Sequence, residues 1–146
     1  MYTVIVTGSR DYTDDKKVFE ALESLWATTE GPFFVMHGAC PTGADKFASV
    51  WFDFQNEDTY EIPVPAIWDV CMVDCPPGHR KMKKTGDTAH PGLLPDYCPK
   101  AGPRRNRMMA QRGADLCLAF PLGESRGTWN CVNECKKAGI PVKVVT

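Results

Sequence analysis

The sequence has almost no net charge: seventeen Lys and Arg stand against eighteen Asp and Glu, leaving −1 over 146 residues. A surface of one sign is therefore absent, and nothing in the total calls for a nucleic-acid backbone or an anionic membrane as partner. Long apolar runs are missing too. Residues Met1–Thr7 form a short β-branched stretch with neither the basic flank nor the apolar core of a signal peptide, and no window approaches a bilayer span. The expectation is a cytoplasmic protein without membrane contact. Low-complexity tracts are also absent, and the sole recurrent pattern is a strand-loop-helix unit.

What is present is ordinary in bulk. Apolar residues make up 43% and charged residues 24% of the chain, the proportions of a soluble globular protein, and the length suits one domain with its own core. Cysteine is the exception, with seven. An odd count without an export signal argues against a disulfide framework and for metal binding or plain burial.

Residues 2–7 alternate and branch like a strand and run into Gly8-Ser9-Arg10-Asp11, a turn-prone stretch. From Asp14, a capping residue, Val18, Phe19, Leu22, Leu25 and Trp26 recur at helical spacing, and Gly31-Pro32 ends the helix. Phe33–His37 is a second apolar run, and beyond the loop Gly38–Asp45 a second helix is marked by Phe47, Val50, Trp51 and Phe54. A third extended segment covers Tyr60–Ala66. Residues 67–101 then lose all periodicity, being rich in Pro, Gly, Lys, Cys and His, and read as an insertion. Regularity returns with a helix over Pro103–Arg112, a strand at Asp115–Phe120, a helix over Thr128–Ala138 and a strand at Pro141–Val145. Successive β-loop-α units build parallel sheets with right-handed crossovers. The fold class is therefore α/β: one domain over 1–146, a Rossmann-like open parallel sheet of about five strands with helices on both faces and a Cys/His-rich insertion.

In such a sheet the loops leaving the carboxyl ends of the strands share one edge, where ligands collect. Three of these loops are rich in glycine and polar residues: Gly8-Ser9-Arg10, Gly38 to Asp45 with Thr42 and Gly43, and Gly123-Glu124-Ser125-Arg126-Gly127-Thr128. Helix N-termini expose unpaired N–H groups, glycine admits an anion close to them, Ser125 and Thr128 add hydroxyl donors, and Arg10 and Arg126 add charge. A phosphate is the natural guest. Each loop taken alone is equally a plain turn. His37, closing an apolar strand, reads as a satisfied histidine at the core edge, and Asp45 as a helix-start acid or a ligand contact. Trp26, Trp51 and Trp129 read as core residues, with Trp68 open.

Val6-Thr7-Gly8-Ser9-Arg10-Asp11, His37 through Asp45, Ala101-Gly102-Pro103-Arg104-Arg105-Asn106-Arg107-Met108-Met109, and Gly113-Ala114-Asp115-Leu116 through Gly127-Thr128 occur in this order. In them the chain resembles the YspA-like, cpYpsA-related branch of the SLOG superfamily. The resemblance implies a Rossmann-like fold, a nucleotide or nucleotide-derived ligand, and a homodimer or higher homo-oligomer. More distantly it extends to the Lonely Guy phosphoribohydrolases and to the DNA-processing protein that binds single strands. It assigns Arg105 and Asn106 to the site and matches Arg105 with Met109, and Gly123 with Gly127-Thr128, to the phosphoribohydrolase pattern. The carboxylate of that pattern does not carry over, because Cys131 stands in its place. A neutral thiol neither stabilises an oxocarbenium ion nor activates water well. Three readings stay open: a binding or sensing domain, an N-glycosidic hydrolase using Arg105 with a substitute carboxylate such as Glu124, and, against the near-neutral charge, a single-strand binder using Arg80, Lys81, Lys83, Lys84 and Arg104 to Arg107.

The insertion carries its own signal. Cys71, Cys75 and His79 fall within nine residues, and Cys98 and His90 follow in the same segment. A segment without a core gains most from metal bonds, so Cys71, Cys75, His79 and Cys98 are expected to hold a structural zinc, with His90 in reserve. No redox cofactor is expected. Cys117, Cys131 and Cys135 read as small buried residues, and Cys40 as one that faces the ligand.

Overall fold

Alternation along the first strand decides how the sheet is covered. In strand β1 (Tyr2–Gly8) Val4 and Val6 are wholly buried in one apolar cluster and Ile5 in another, as the two-residue period of a strand requires. Helices α1 (Asp15–Ala27) and α2 (Gly43–Asp53) supply Val18, Leu22, Ala44, Ala48 and Trp51 to the first cluster. Helices α3 (Ala101–Arg112) and α4 (Arg126–Lys137) supply Met109, Ala110, Cys131 and Cys135 to the second. Each fully buried aliphatic or Phe side chain contributes roughly 1.5–3 kcal/mol. This computed structural model describes residues 1–55 and 57–146.

The remaining strands are β2 (Phe33–His37), β3 (Thr59–Pro63), a hairpin of β4 (Lys81–Met82) with β5 (Asp96–Tyr97), then β6 (Leu116–Phe120) and β7 (Val142–Val144). The main sheet has five strands in the order β3-β2-β1-β6-β7, and every pair in it is parallel. The chain winds outward from β1 through β2 and β3, then returns to the other side of β1 for β6. Gly8 and Phe120 lie side by side at the carboxyl ends of β1 and β6, and the loops leaving them diverge into a crevice at this switch point.

Local signals placed the helices well, with three informative differences. Helix α1 begins after Asp14, whose carboxylate accepts from the Lys17 N–H at 3.3 Å. Its last turn touches the core through Leu25, leaving Trp26 39% exposed. Helix α3 starts two residues before Pro103, at Ala101. Proline is tolerated there because first-turn N–H groups have no intrahelical acceptor, and the first such bond runs from Arg104 to Lys100 at 3.0 Å. Arg104 and Arg105 thus sit beyond the helix start rather than on it. In α4 the buried stripe is Thr128, Cys131, Val132 and Cys135, which turns Trp129 outward.

Residues 67–101 hold only the short β4–β5 hairpin and a third small cluster of Trp68, Cys98 and Ala101. Among the described residues, no helix is long and apolar enough to cross a membrane.

Candidate functional site

The crevice between β1 and β6 opens into a cavity of about 530 Å³, within the range of small-molecule sites. Its walls come from all three Gly-rich loops and from α3. Of the residues singled out in the sequence, Gly8, Ser9, Arg10, Gly38, Asp45, Arg105, Asn106, Gly123, Glu124, Ser125, Arg126, Gly127 and Thr128 line it, as does Cys40. Thr42 and Gly43 do not. Thr42 is exposed ahead of α2, and Gly43, with φ +74°, packs against the backbone of Ser9 and Arg10. Thr7, Asp11, Met109 and Leu122 also line the cavity. Met109 is the residue that the resemblance pairs with Arg105, four positions on along α3, while Thr7, Asp11 and Leu122 are brought there by the ends of β1 and β6.

The loop Gly123–Thr128 has an unusual backbone. Gly123 (φ +64°) and Ser125 (φ +46°) are both left-handed, and for a serine this conformation costs on the order of 1 kcal/mol. Ser125 stands at the N-cap of α4 yet gives no side-chain cap; its hydroxyl bonds the Thr128 hydroxyl at 2.5 Å. The first-turn N–H groups of α4 are thus left to the cavity, with the positive end of the helix dipole behind them. Gly127 adds the decisive detail. It lines the cavity, has none of the described residues within 4 Å of where a Cβ would stand, and does not need glycine for its φ. Among the described residues nothing requires glycine at 127, and a methyl there would stand in open space on the cavity wall.

Arg105 crosses to the opposite wall. Its Nη1 donates to the carbonyls of Gly38 and, at 3.4 Å, Val64, and its Nε donates to Asn106 Oδ1 at 2.9 Å. Asn106 is buried and passes the chain on to Asn130 Oδ1 at 2.9 Å and the Gly127 carbonyl at 3.3 Å. A Cβ on Gly38 would overlap the Arg105 guanidinium and lie 3.0 Å from Asp45 Oδ2, so glycine here is what lets the arginine reach the loop. Arg126 and Glu124 stand on the rim, almost fully exposed, 3.9 Å apart.

Burial pushes the Asp45 carboxyl up, against the opposing pull of His37 and Arg105, and burial followed by the Asp45 charge pushes the Cys40 thiol up. Both groups lean toward their neutral forms, which favours an anionic guest. His37 is satisfied as expected: Nδ1 accepts from the Ala39 N–H at 3.0 Å, so Nε2 carries the proton that bonds Glu61 at 2.9 Å. The Ala39 N–H that donates to Nδ1 belongs to a residue in the left-handed conformation, φ +56°.

Cys131, which stands where the phosphoribohydrolase pattern would have its carboxylate, does not line the cavity. It is wholly buried, and its sulfur lies within 4.8 Å of those of Cys117 and Cys135. This trio could hold a metal ion by distance; hydrogen bonds within it push the Cys117 thiol up and the Cys135 thiol down to about 4, and among the described residues no basic side chain bonds these sulfurs.

The insertion's group differs in kind. Cys71, Cys75, His79 and Cys98 present four donor atoms within 4.8 Å of one another. The separations are 3.2 Å from Cys71 Sγ to His79 Nε2, 3.6 Å from Cys98 Sγ to His79 Nε2, and 3.7 Å between Cys75 and Cys98. A tetrahedron with bonds of about 2.3 Å to sulfur and 2.0 Å to nitrogen has edges of roughly 3.5–3.8 Å. Arg80 donates to Cys71 at 3.2 Å, Arg104 to Cys75 at 3.5 Å, and the Met72 N–H to Cys75 at 3.4 Å, the outer support that thiolate ligands need. These residues can hold a metal ion. His90 is elsewhere, its Nδ1 2.8 Å from Asp87. Of the basic residues singled out in the sequence, Arg80 and Arg104 are turned to sulfur and Arg107 lies 3.8 Å from Glu134.

Residues 2–66 match the family described as the YspA, cpYpsA-related SLOG family. Gene 61 protein of Mycobacterium phage D29 is 35% identical over 142 residues, covering 97% of this chain and 94% of that one. The chain belongs to the YspA, cpYpsA-related SLOG family. No solved structure matches it. The relative's name states no activity, and the family supports a nucleotide-related ligand.

Proposed function

We propose that this SLOG domain binds a nucleotide or nucleotide-derived ligand, with its phosphate on the Gly123–Thr128 loop. The observation that carries the reading is Gly127, an open position on the cavity wall where nothing among the described residues asks for glycine. The uncapped start of α4 and the arginines Arg10, Arg105 and Arg126 around the same cavity support it. The reading also places a structural zinc on Cys71, Cys75, His79 and Cys98, whose four donors would leave no open position for water. Native mass spectrometry of the purified protein, followed by calorimetric titration with nucleoside 5′-monophosphates, tests both parts. Bound nucleotide and one zinc per chain are expected; absence of binding by any nucleotide overturns the first, and a metal-free chain the second.

N-glycosidic hydrolysis is favoured by one observation. Asp45 lines the cavity and is held toward its acid form by burial, as a general acid requires. Release of free base that vanishes in Asp45→Asn and in Arg105→Ala would establish it, and intact nucleotide after long incubation would leave binding alone.

A further inference from the structure

A second cavity, of about 390 Å³, adjoins the first and shares Arg10, Arg105, Asn106, Arg126 and Gly127 with it. Its far wall is built by the insertion. The His90 and Tyr97 rings lie parallel with centroids 3.7 Å apart and planes within 9°, and Trp68 meets them edge-on at 4.6 and 5.8 Å. The Arg10 guanidinium lies 5.9 Å from the Trp68 ring centre. Three aromatic rings from distant points of an irregular segment therefore converge beside the phosphate loop.

Each ring is fixed by its neighbours. Asp87 holds His90 through Nδ1 at 2.8 Å and the main-chain N–H at 3.1 Å. Trp68 packs on Gly102, where a Cβ would lie 2.9 Å from the indole, and its carbonyl accepts from the Cys98 N–H at 2.8 Å. Tyr97 directly precedes Cys98, so the cysteine group anchors this wall. Across the cavity Asn130 spends its Oδ1 on Asn106, leaving its NH2 group for an acceptor on a ring edge.

We propose that this aromatic wall is the subsite for a nucleobase, so that the insertion, held by its Cys/His group, selects the planar part of a free nucleoside phosphate whose phosphate occupies the neighbouring loop. Fixed aromatic faces beside a polar edge and a phosphate cradle are what a nucleotide presents a complement to. The inference rests on the phosphate reading above.

Calorimetric titration of the purified protein with the four common nucleoside 5′-monophosphates, ribose 5-phosphate and the free nucleosides tests it. At least one nucleotide should bind about tenfold or more tightly than ribose 5-phosphate, the scale of one stacked base. Tyr97→Leu and His90→Ala should each abolish that advantage while leaving ribose 5-phosphate affinity within about twofold, and Tyr97→Phe should keep it. Zinc content and unfolding midpoint, measured on each variant, separate this loss from misfolding. Equal affinity for ribose 5-phosphate and every nucleotide overturns the subsite, as does equal loss of both in a folded variant, or binding of single-stranded oligonucleotides alone. Free nucleosides binding as well as their phosphates would instead overturn the phosphate reading and leave the aromatic subsite standing.

Discussion

Arg105 donates to the main-chain carbonyl of Gly38, joining α3 to the loop after β2 across the floor of the cleft. The two positions are mutually dependent, since a side chain at 38 would occupy the space of the guanidinium. Gly38→Ala should therefore behave as a cleft mutation. It should destabilise by about 1–3 kcal/mol, the usual cost of overpacking, and weaken nucleotide binding through displaced Arg105. Urea unfolding and calorimetry on the same sample check both.

Gly127→Ala separates binding from folding. The position is open and lies in the first turn of α4, where alanine is favoured over glycine by about 0.5–1 kcal/mol. Stability should stay level or rise while nucleotide affinity falls at least about tenfold, a loss of about 1.4 kcal/mol. A variant that binds as wild type would remove the main support for the phosphate cradle.

Metal removal should act locally. Chelation, or Cys71→Ser, should release one zinc and raise amide exchange across residues 67–101, while β1 and β6, whose side chains are buried by the helices on both faces, keep their protection. Exchange mass spectrometry reads the contrast. If the cleft's aromatic wall depends on the metal, the nucleotide's advantage over ribose 5-phosphate disappears in the same sample.

The His37–Glu61 pair sets an acid-side dependence. Burial raises Glu61, but hydrogen bonds from His37 and Ser49, with His37 and Lys46 nearby, outweigh it and hold the carboxyl below its ordinary value of 4.5. A depressed folded-state value adds stability above the unfolded value, and that contribution is lost as pH falls through the folded one. Urea midpoints measured from about pH 6 down to pH 3 should fall more steeply in wild type than in Glu61→Gln.

Restoring the relatives' carboxylate should fail. Cys131→Glu places an acid in a wholly buried apolar cluster with Ile5, Met109 and Cys117. The expected result is a loss of several kcal/mol and no base release from nucleotides. A stable, hydrolytic Cys131→Glu protein would mean that position 131 reaches the cleft after all.

Much of the fold was written in local spacing. The two-residue period of Val4, Ile5 and Val6, the Asp14 cap and the Gly-rich turns each depend on near neighbours, so the sequence alone determined an α/β domain with a parallel sheet, three loops on one edge and the family to which it belongs. Tertiary structure decided what local pattern does not encode. It put His79 with the three cysteines and His90 on Tyr97, kept Thr42 and Gly43 outside the cavity, and sank Cys131 beneath it. The insertion has no periodicity to read, and its partners meet only because the sheet and α3 hold its two ends at fixed places. Which side chains converge there is set by closure in three dimensions.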